Sequence, residues 1–338
     1  MNLIHVLLLA LLQGVTELFP VSSLGHTVLI PGLLGWRETL SSPTFVPLVV
    51  ALHLGTATAL LTFFWRDWVD LLRGGLRVVV AGRFTRDVDP DGYGRQFALV
   101  VVGTIPAGLI GLLLQKPLEQ LFSQPALSAG FLIVNGIVLL VTERLWSRQK
   151  HAGTTSSGLS MGATAAHHAH PSPVPATVRS ATADGVLAYA TVDSAAALKS
   201  GYVGKSLDEM SFLQAAVIGV AQAFALLPGI SRSGATMVAG LANGLSHEAA
   251  ARFTFLLATP IIAAAGLLEV PRLFKAGGTA LEYAVMGGVL AGIAAYLSVR
   301  FLMRYFETNR LDPFAWYCIG AGVLAGVYLL AKSAGLVP

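Results

Sequence analysis

Apolar residues along this chain gather into long, almost unbroken blocks separated by short polar stretches. Neither strict alternation nor a one-sided helical stripe dominates, so the blocks read as segments that are apolar all round. A helix crossing a bilayer core needs about 20 such residues. Six blocks fit that description, at 46–65, 97–114, 127–141, 253–268, 283–303 and 314–331. They predict six spanning helices in an all-α polytopic membrane protein.

Four further apolar segments, 3–12, 27–34, 212–227 and 235–245, are too short or too broken to cross alone. They come as two pairs, each hinged on a motif of Pro, Gly and Ser. A broken pair at membrane depth predicts a re-entrant helical hairpin, tolerated where it is packed in protein or lines a wet cavity. The order is then hairpin, three spans, hairpin, three spans. Sliding the first half by 209 residues lays Gln13 on Gln222, Ser22 on Ser231, Gly25 on Gly234 and Thr27 on Thr236. Three intervening spans reverse the second half, so the expectation is an inverted-topology repeat with its site near the midplane. The first repeat would occupy 1–144, with hairpin 3–35, and the second 211–338, with hairpin 212–245. Between them, 145–210 is rich in Ala, Ser, Thr, Gly and Pro, a composition that predicts a flexible insertion. Its His167, His168 and His170 read as part of a solvated linker rather than as a metal site.

Charge then orients the pattern. Loops 66–95, 143–210 and 300–310 carry fifteen Lys and Arg, whereas the alternate loops carry four: Arg37, Lys116, Arg272 and Lys275. The basic group is expected on the cytoplasmic side, which opens the first hinge to the outer face. Only 12% of residues are charged and 54% are hydrophobic, with mean hydropathy +0.69. Soluble domains carry roughly 25% charged residues, so a soluble class is excluded. The net charge of +4 comes from the loop arginines, which argues against a nucleic-acid partner. The single Cys318 rules out a disulfide framework within one chain. The N-terminal apolar run has no basic region before it and no small-residue cleavage site, so it reads as mature protein rather than as a signal peptide.

Chemistry concentrates in the two hinges, since ionisable groups in apolar surroundings mark functional sites. Gln13 and Glu17 are four apart and share one helix face. Such a pair can hold a hard cation, position a water, or simply satisfy a neighbouring helix. Ser22 and Ser23 follow Pro20 and can cap the next helix. His26 lies one helical turn beyond Ser23, where an imidazole can take a serine proton or bond a carbonyl. The second hinge places Arg232 between Ser231 and Ser233, flanked by Gly229 and Gly234. Glycines let backbone approach a ligand, a new helix opening at Ser233–Thr236 offers its N-terminal amides, and a guanidinium matches phosphate oxygens. Together these read as a phosphate cradle, with Arg232 paired to Glu17 when no ligand is bound. His53 and Asn135, inside spans, read as interhelical hydrogen bonds.

Gln13-x-x-x-Glu17 followed by Pro20-Val-Ser-Ser-x-Gly-His26 resembles the first signature of the bacterial undecaprenyl-diphosphate phosphatases of the bacitracin-resistance type. Pro228-Gly-Ile-Ser-Arg-Ser-Gly234, with Ala235 and Thr236, resembles their second. Gly103-Thr-Ile-Pro-Ala107 and Phe253-Thr-Phe-Leu-Leu-Ala-Thr-Pro260 extend the likeness to nearly the whole chain outside about 145–208. The resemblance implies hydrolysis of undecaprenyl diphosphate to undecaprenyl phosphate and inorganic phosphate. That reaction recycles the carrier of peptidoglycan synthesis and confers bacitracin resistance. It implies a multi-pass protein of the cytoplasmic (inner) membrane, a site open to the outer, periplasmic side, and a polyprenyl diphosphate substrate. A supporting divalent cation, Mg²⁺ or Ca²⁺, and a homodimer are further expectations. The residues carried over are Glu17, Ser23, His26 and Arg232 for catalysis, with Ser22, Gly229, Ser231, Ser233, Gly234 and Thr236 around the phosphates. The cation would rest on Glu17 and Gln13; this chain has Gln13 where the family often has Glu. Inverted repeats with broken helices also build transporters, and a lipid-phosphate flippase would use the same arginine and hairpins.

Overall fold

The computed structural model describes residues 2–121, 124–160 and 204–336. Its described helices are α1 (Leu3–Thr16), α2 (Ser23–Leu33), α3 (Arg37–Leu40), α4 (Phe45–Phe63), α5 (Trp65–Ala81), α6 (Tyr93–Leu121) and α7 (Pro125–Ser160). After residue 204 come α8 (Phe212–Ala223), α9 (Arg232–Ala242), α10 (His247–Ala276), α11 (Gly278–Thr308) and α12 (Asp312–Ser333). No strand occurs among the described residues. Six helices, α4, α6, α7, α10, α11 and α12, are long and apolar enough to cross a membrane. The chain is a multi-pass membrane protein. Large apolar side chains such as Leu113, Leu213, Leu324 and Leu330 are exposed, as lipid-facing positions would be.

The chain divides into two compact units, residues 1–143 with 204–338, and residues 144–203. Of the second, the continuation of α7 to Ser160 is described. The expected insertion therefore starts as helix and not as irregular chain, because the run from Glu143 to Lys150 holds no Gly or Pro to stop α7. The remainder, including His167, His168 and His170, lies outside the described residues.

Within the first unit, α4 packs on α11 and α6 on α8 through close backbone approach. Gly55 meets the Gly288 carbonyl and Gly219 meets the Gly103 carbonyl, with no room for a Cβ at either glycine. In lipid, where apolar burial drives helix pairing little, such small residues permit the contact. Loop 66–95 contains an element that block reading missed. α5 is interrupted by charge every few residues, yet it seats Leu71, Gly74 and Val78 on α6 and leaves Leu72, Leu76, Val79 and Val80 exposed.

The four short segments fold as two helix–break–helix pairs, α1 with α2 and α8 with α9. Ser22 Oγ accepts from Gly25 N at 3.1 Å to cap α2, and Ser231 Oγ accepts from Gly234 N at 3.0 Å to cap α9. Thr27 Oγ1 donates to the Leu24 carbonyl, and Thr236 Oγ1 to the Ser233 carbonyl, so the bonds recur with the offset of the sequence match.

Candidate active site at the two hinges

The two breaks touch. Ser22 Oγ also accepts from Gly229 N at 3.2 Å, and a Cβ on Gly25 would stand 2.8 Å from Gly229 Cα. Gly229 has φ 114°, a region that favours glycine, and Ser22 has φ 67°, which costs a non-glycine residue strain. Ser233 Oγ donates to the Phe19 carbonyl at 2.9 Å and lies 3.0 Å from Ser231 Oγ. Asn135 of α7 closes the join. Its Nδ2 donates to the Pro20 carbonyl and its Oδ1 accepts from Ser231 N, both at 3.0 Å. Proline breaks the helix and frees a carbonyl, and a buried amide side chain satisfies it.

Against this frame sits Glu17, at the C-terminal end of α1 with its side chain 4% exposed. Oε1 accepts from Arg232 Nη2. Oε2 accepts from Gln13 Nε2 at 2.8 Å and from Ser23 Oγ, and lies 3.1 Å from His53 Nε2. The other ring nitrogen of His53 is 2.7 Å from the Val49 carbonyl, so the ring is held between α4 backbone and Glu17. Each charge of the Glu17–Arg232 pair sits at the unfavourable end of its own helix dipole, a carboxylate ending α1 and a guanidinium opening α9. Helix stability therefore explains neither residue. Their mutual pairing removes the cost of two isolated charges in an apolar interior.

Glu17, Ser22, Ser23, His53, Ser231 and Arg232 line a cavity of about 300 Å³, and Gln222 lines it as well. Most of the remaining wall is apolar, with Val46, Val50, Gly108, Leu226, Ile261 and Leu268. Glu269 also lines it, and Arg272 Nη1 donates to both Glu269 oxygens at 3.0 Å.

The expected site residues divide. Glu17, Ser23 and Arg232 meet in the cavity, as do Ser22 and Ser231. His26 does not line it: Nδ1 lies 2.7 Å from the Ser22 carbonyl, Nε2 lies 2.8 Å from Tyr317 Oη, and the ring stacks on Tyr317. Both nitrogens are occupied, so the expected Ser23–His26 proton transfer has no free ring atom. Gly229, Ser233, Gly234 and Thr236 also lie outside the lining. Ser233 and the two glycines serve the hinge contact, and Thr236 Oγ1 donates to the Arg232 carbonyl at 2.7 Å, so fewer of the motif's residues face the cavity than the motif holds. Asn135 makes the expected interhelical bonds, and they bind both hinges. His53 was expected only to bond a neighbour; its partner is Glu17. The signal was an ionisable side chain inside an apolar block, but its partner required knowing that α4 passes α1.

Among the described residues no group of three or more His, Cys, Asp or Glu side chains could hold a metal. Glu17 has both oxygens engaged, whereas Gln13 Oε1 is buried with no hydrogen-bond partner. The donor set for a hard cation is thus one carboxylate and one amide oxygen.

A family model described as Bacitracin resistance protein BacA matches residues 6–197 and 175–324. A protein of Frankia alni named Undecaprenyl-diphosphatase 2 is 46% identical, over 94% of this chain and 95% of its own length. A protein of Chromobacterium violaceum with the same name is 43% identical, over 98% of this chain and all of its own. An Undecaprenyl-diphosphatase of Acidiphilium cryptum is 41% identical, over 94% and 95%.

Proposed function

This chain belongs to the bacitracin resistance protein BacA family, and from that premise we propose that it hydrolyses undecaprenyl diphosphate to undecaprenyl phosphate and inorganic phosphate. One observation carries the reading at atomic level. A serine hydroxyl, a carboxylate that accepts its hydrogen bond, and a guanidinium converge in a cavity whose remaining wall is mostly apolar. The apolar wall suits a lipid tail and the polar groups suit its diphosphate.

Substrate arrival draws Arg232 from Glu17 onto phosphate oxygens, where its planar fork fits them. Glu17 is then free to take the Ser23 proton. Ser23 Oγ bonds to the terminal phosphorus as the bond from that phosphorus to the bridging oxygen breaks. Undecaprenyl phosphate leaves with the electron pair. Water oxygen then bonds to phosphorus as the Ser23 Oγ–phosphorus bond breaks, Glu17 returns its proton to Ser23 Oγ, and the water's protons leave with the inorganic phosphate. The N-terminal amides of α2 and α9 and Arg232 meet the charge that develops on the transferring group. His53 holds Glu17 in place and buffers its charge. A divalent cation would be held by Glu17 and Gln13 Oε1 and would supply neutralisation of phosphate charge.

The matching caps at Ser22 and Ser231 support an inverted repeat of two re-entrant hairpins that meet at the site. The cavity runs from the hinges toward helix ends that adjoin the loops poor in Lys and Arg, such as the end of α10 near Arg272 and Lys275. That supports a site open to the outer side of the cytoplasmic membrane, where a carrier lipid of peptidoglycan synthesis is released and where bacitracin acts. The test is phosphate release from undecaprenyl diphosphate by purified protein in detergent, with and without chelator. Release without any membrane separates a phosphatase from a flippase; no release from folded protein overturns the reading.

A further inference from the structure

Gln222 is 3% exposed and lines the cavity, yet neither its amide nitrogen nor its amide oxygen has a hydrogen-bond partner among the described residues. Buried polar side chains are nearly always partnered, so an amide left open on both sides requires a cause. Its counterpart in the first hinge shows what is absent. Gln13, 209 residues earlier, donates from Nε2 to Glu17 Oε2 at 2.8 Å, four residues along the chain. Four residues along from Gln222 stands Leu226, which lines the same cavity. The second hinge keeps the amide and lacks the oxyanion that it would hold.

We propose that Gln222 is a contact for a phosphate oxyanion, with a non-bridging oxygen of bound diphosphate taking the place that the Glu17 carboxylate fills beside Gln13. The inference deepens the diphosphatase reading and rests on it. Ser23 and Arg232 address the phosphate to be removed. Gln222 shares the lining with Ala225 and Leu226, both apolar and close to it in the chain. The oxygen it holds therefore belongs to the lipid-side phosphate, the part that leaves with the tail. Both amide atoms are shielded in this structure, so binding turns the side chain into the cavity, where Nε2 donates to that oxygen and Oε1 accepts from a water carried in with the headgroup. Charge collects on this phosphate as the bridging bond breaks, so the amide holds it in the bound state and more tightly during transfer, and its loss raises KM and lowers kcat.

Full-length protein in detergent provides the test through three readings: kinetics with a polyprenyl diphosphate, Tm, and the Tm rise produced by inorganic pyrophosphate. Hydrogen bonds to charged groups set the scale, so Gln222→Leu should raise KM and lower kcat/KM about tenfold or more. Gln222→Glu, which sets a carboxylate against the oxyanion, should raise KM further, and Gln222→Asn should recover part of the loss. A merely structural role predicts a lower Tm for Gln222→Leu. The proposal predicts an equal or higher Tm, because an open buried amide has been removed. It also predicts that the pyrophosphate-induced Tm rise shrinks in Gln222→Leu. Wild-type KM in Gln222→Leu overturns the inference. So does a raised KM with an unchanged pyrophosphate response, since Gln222 would then sense the tail and not the phosphate. Wild-type protein that releases no phosphate overturns the diphosphatase reading instead, and the pyrophosphate response alone then decides on Gln222.

Discussion

The two hinges share a frame and differ in chemistry. Each opens its second helix with a serine cap to the amide three residues on, and each carries a threonine bonded back to the carbonyl three residues before it. Where the first hinge has Glu17, Ser23 and His26, the positions 209 residues later are Leu226, Arg232 and Ala235. Ser22 is held at φ 67°, whereas Ser231 caps from extended backbone at φ −82°. Backbone hydrogen bonds at a helix break must be satisfied in both halves, so the caps recur. The proposed reaction needs a base and a cation together, and the diverging positions fit it, one hinge supplying the carboxylate and hydroxyl and the other the guanidinium.

The comparison breaks most visibly at Ser23. Ser23→Ala should lower kcat by about 10⁴-fold or more if its hydroxyl is the nucleophile. Activity within tenfold of wild type in steady-state assays would transfer attack to a water oriented by Glu17. Arg232→Ala comes next, with a loss of about 10³-fold in kcat, the lower range for an arginine that stabilises phosphoryl transfer. Arg232→Lys keeps the charge without the fork and should restore only part of the rate. Near-normal kcat for Arg232→Ala would remove the arginine from the phosphate contacts.

Smaller effects sharpen the roles. His53→Gln should cost about 10²-fold in turnover, the low end for a group that handles or holds a proton acceptor. Asn135→Ala leaves the Ser231 amide buried and open and the Pro20 carbonyl with the weak Cys318 thiol donor at 3.7 Å. At about 1–3 kcal/mol for each such group, it should lower stability by about 2–6 kcal/mol, measured as a fall in Tm with activity lost in parallel. His26→Phe preserves the stacking on Tyr317 and should keep turnover within about tenfold, since it removes hydrogen bonds outside the cavity. A loss as large as that of Ser23→Ala would return His26 to the reaction.

The spanning helices were legible because block length and low charge depend on composition alone. The hinge motifs were legible because Pro, Gly and Ser act on local backbone, and α2 and α9 begin within a residue of where their caps stand. α5 was hidden, since a helix with one core-facing stripe looks polar when only continuous apolar blocks are counted. The beginning of the insertion looked irregular by average composition, while helix propagation depends on the residues next in line.

The sequence by itself determined the membrane class, the two broken helix pairs, and the presence of Glu17, Ser23 and Arg232 in apolar surroundings, all of which follow from local chemistry. Only the tertiary structure decided the partners. His26 and His53 are each one imidazole in an apolar segment, and nothing within a few residues of either separates them. Packing carries His26 against Tyr317, 291 positions away, and carries His53 to Glu17, 36 positions away. Side-chain roles in such a site depend on which atoms lie within about 3 Å, the reach of a hydrogen bond, and that distance is set by how the helices cross rather than by the order of residues along them.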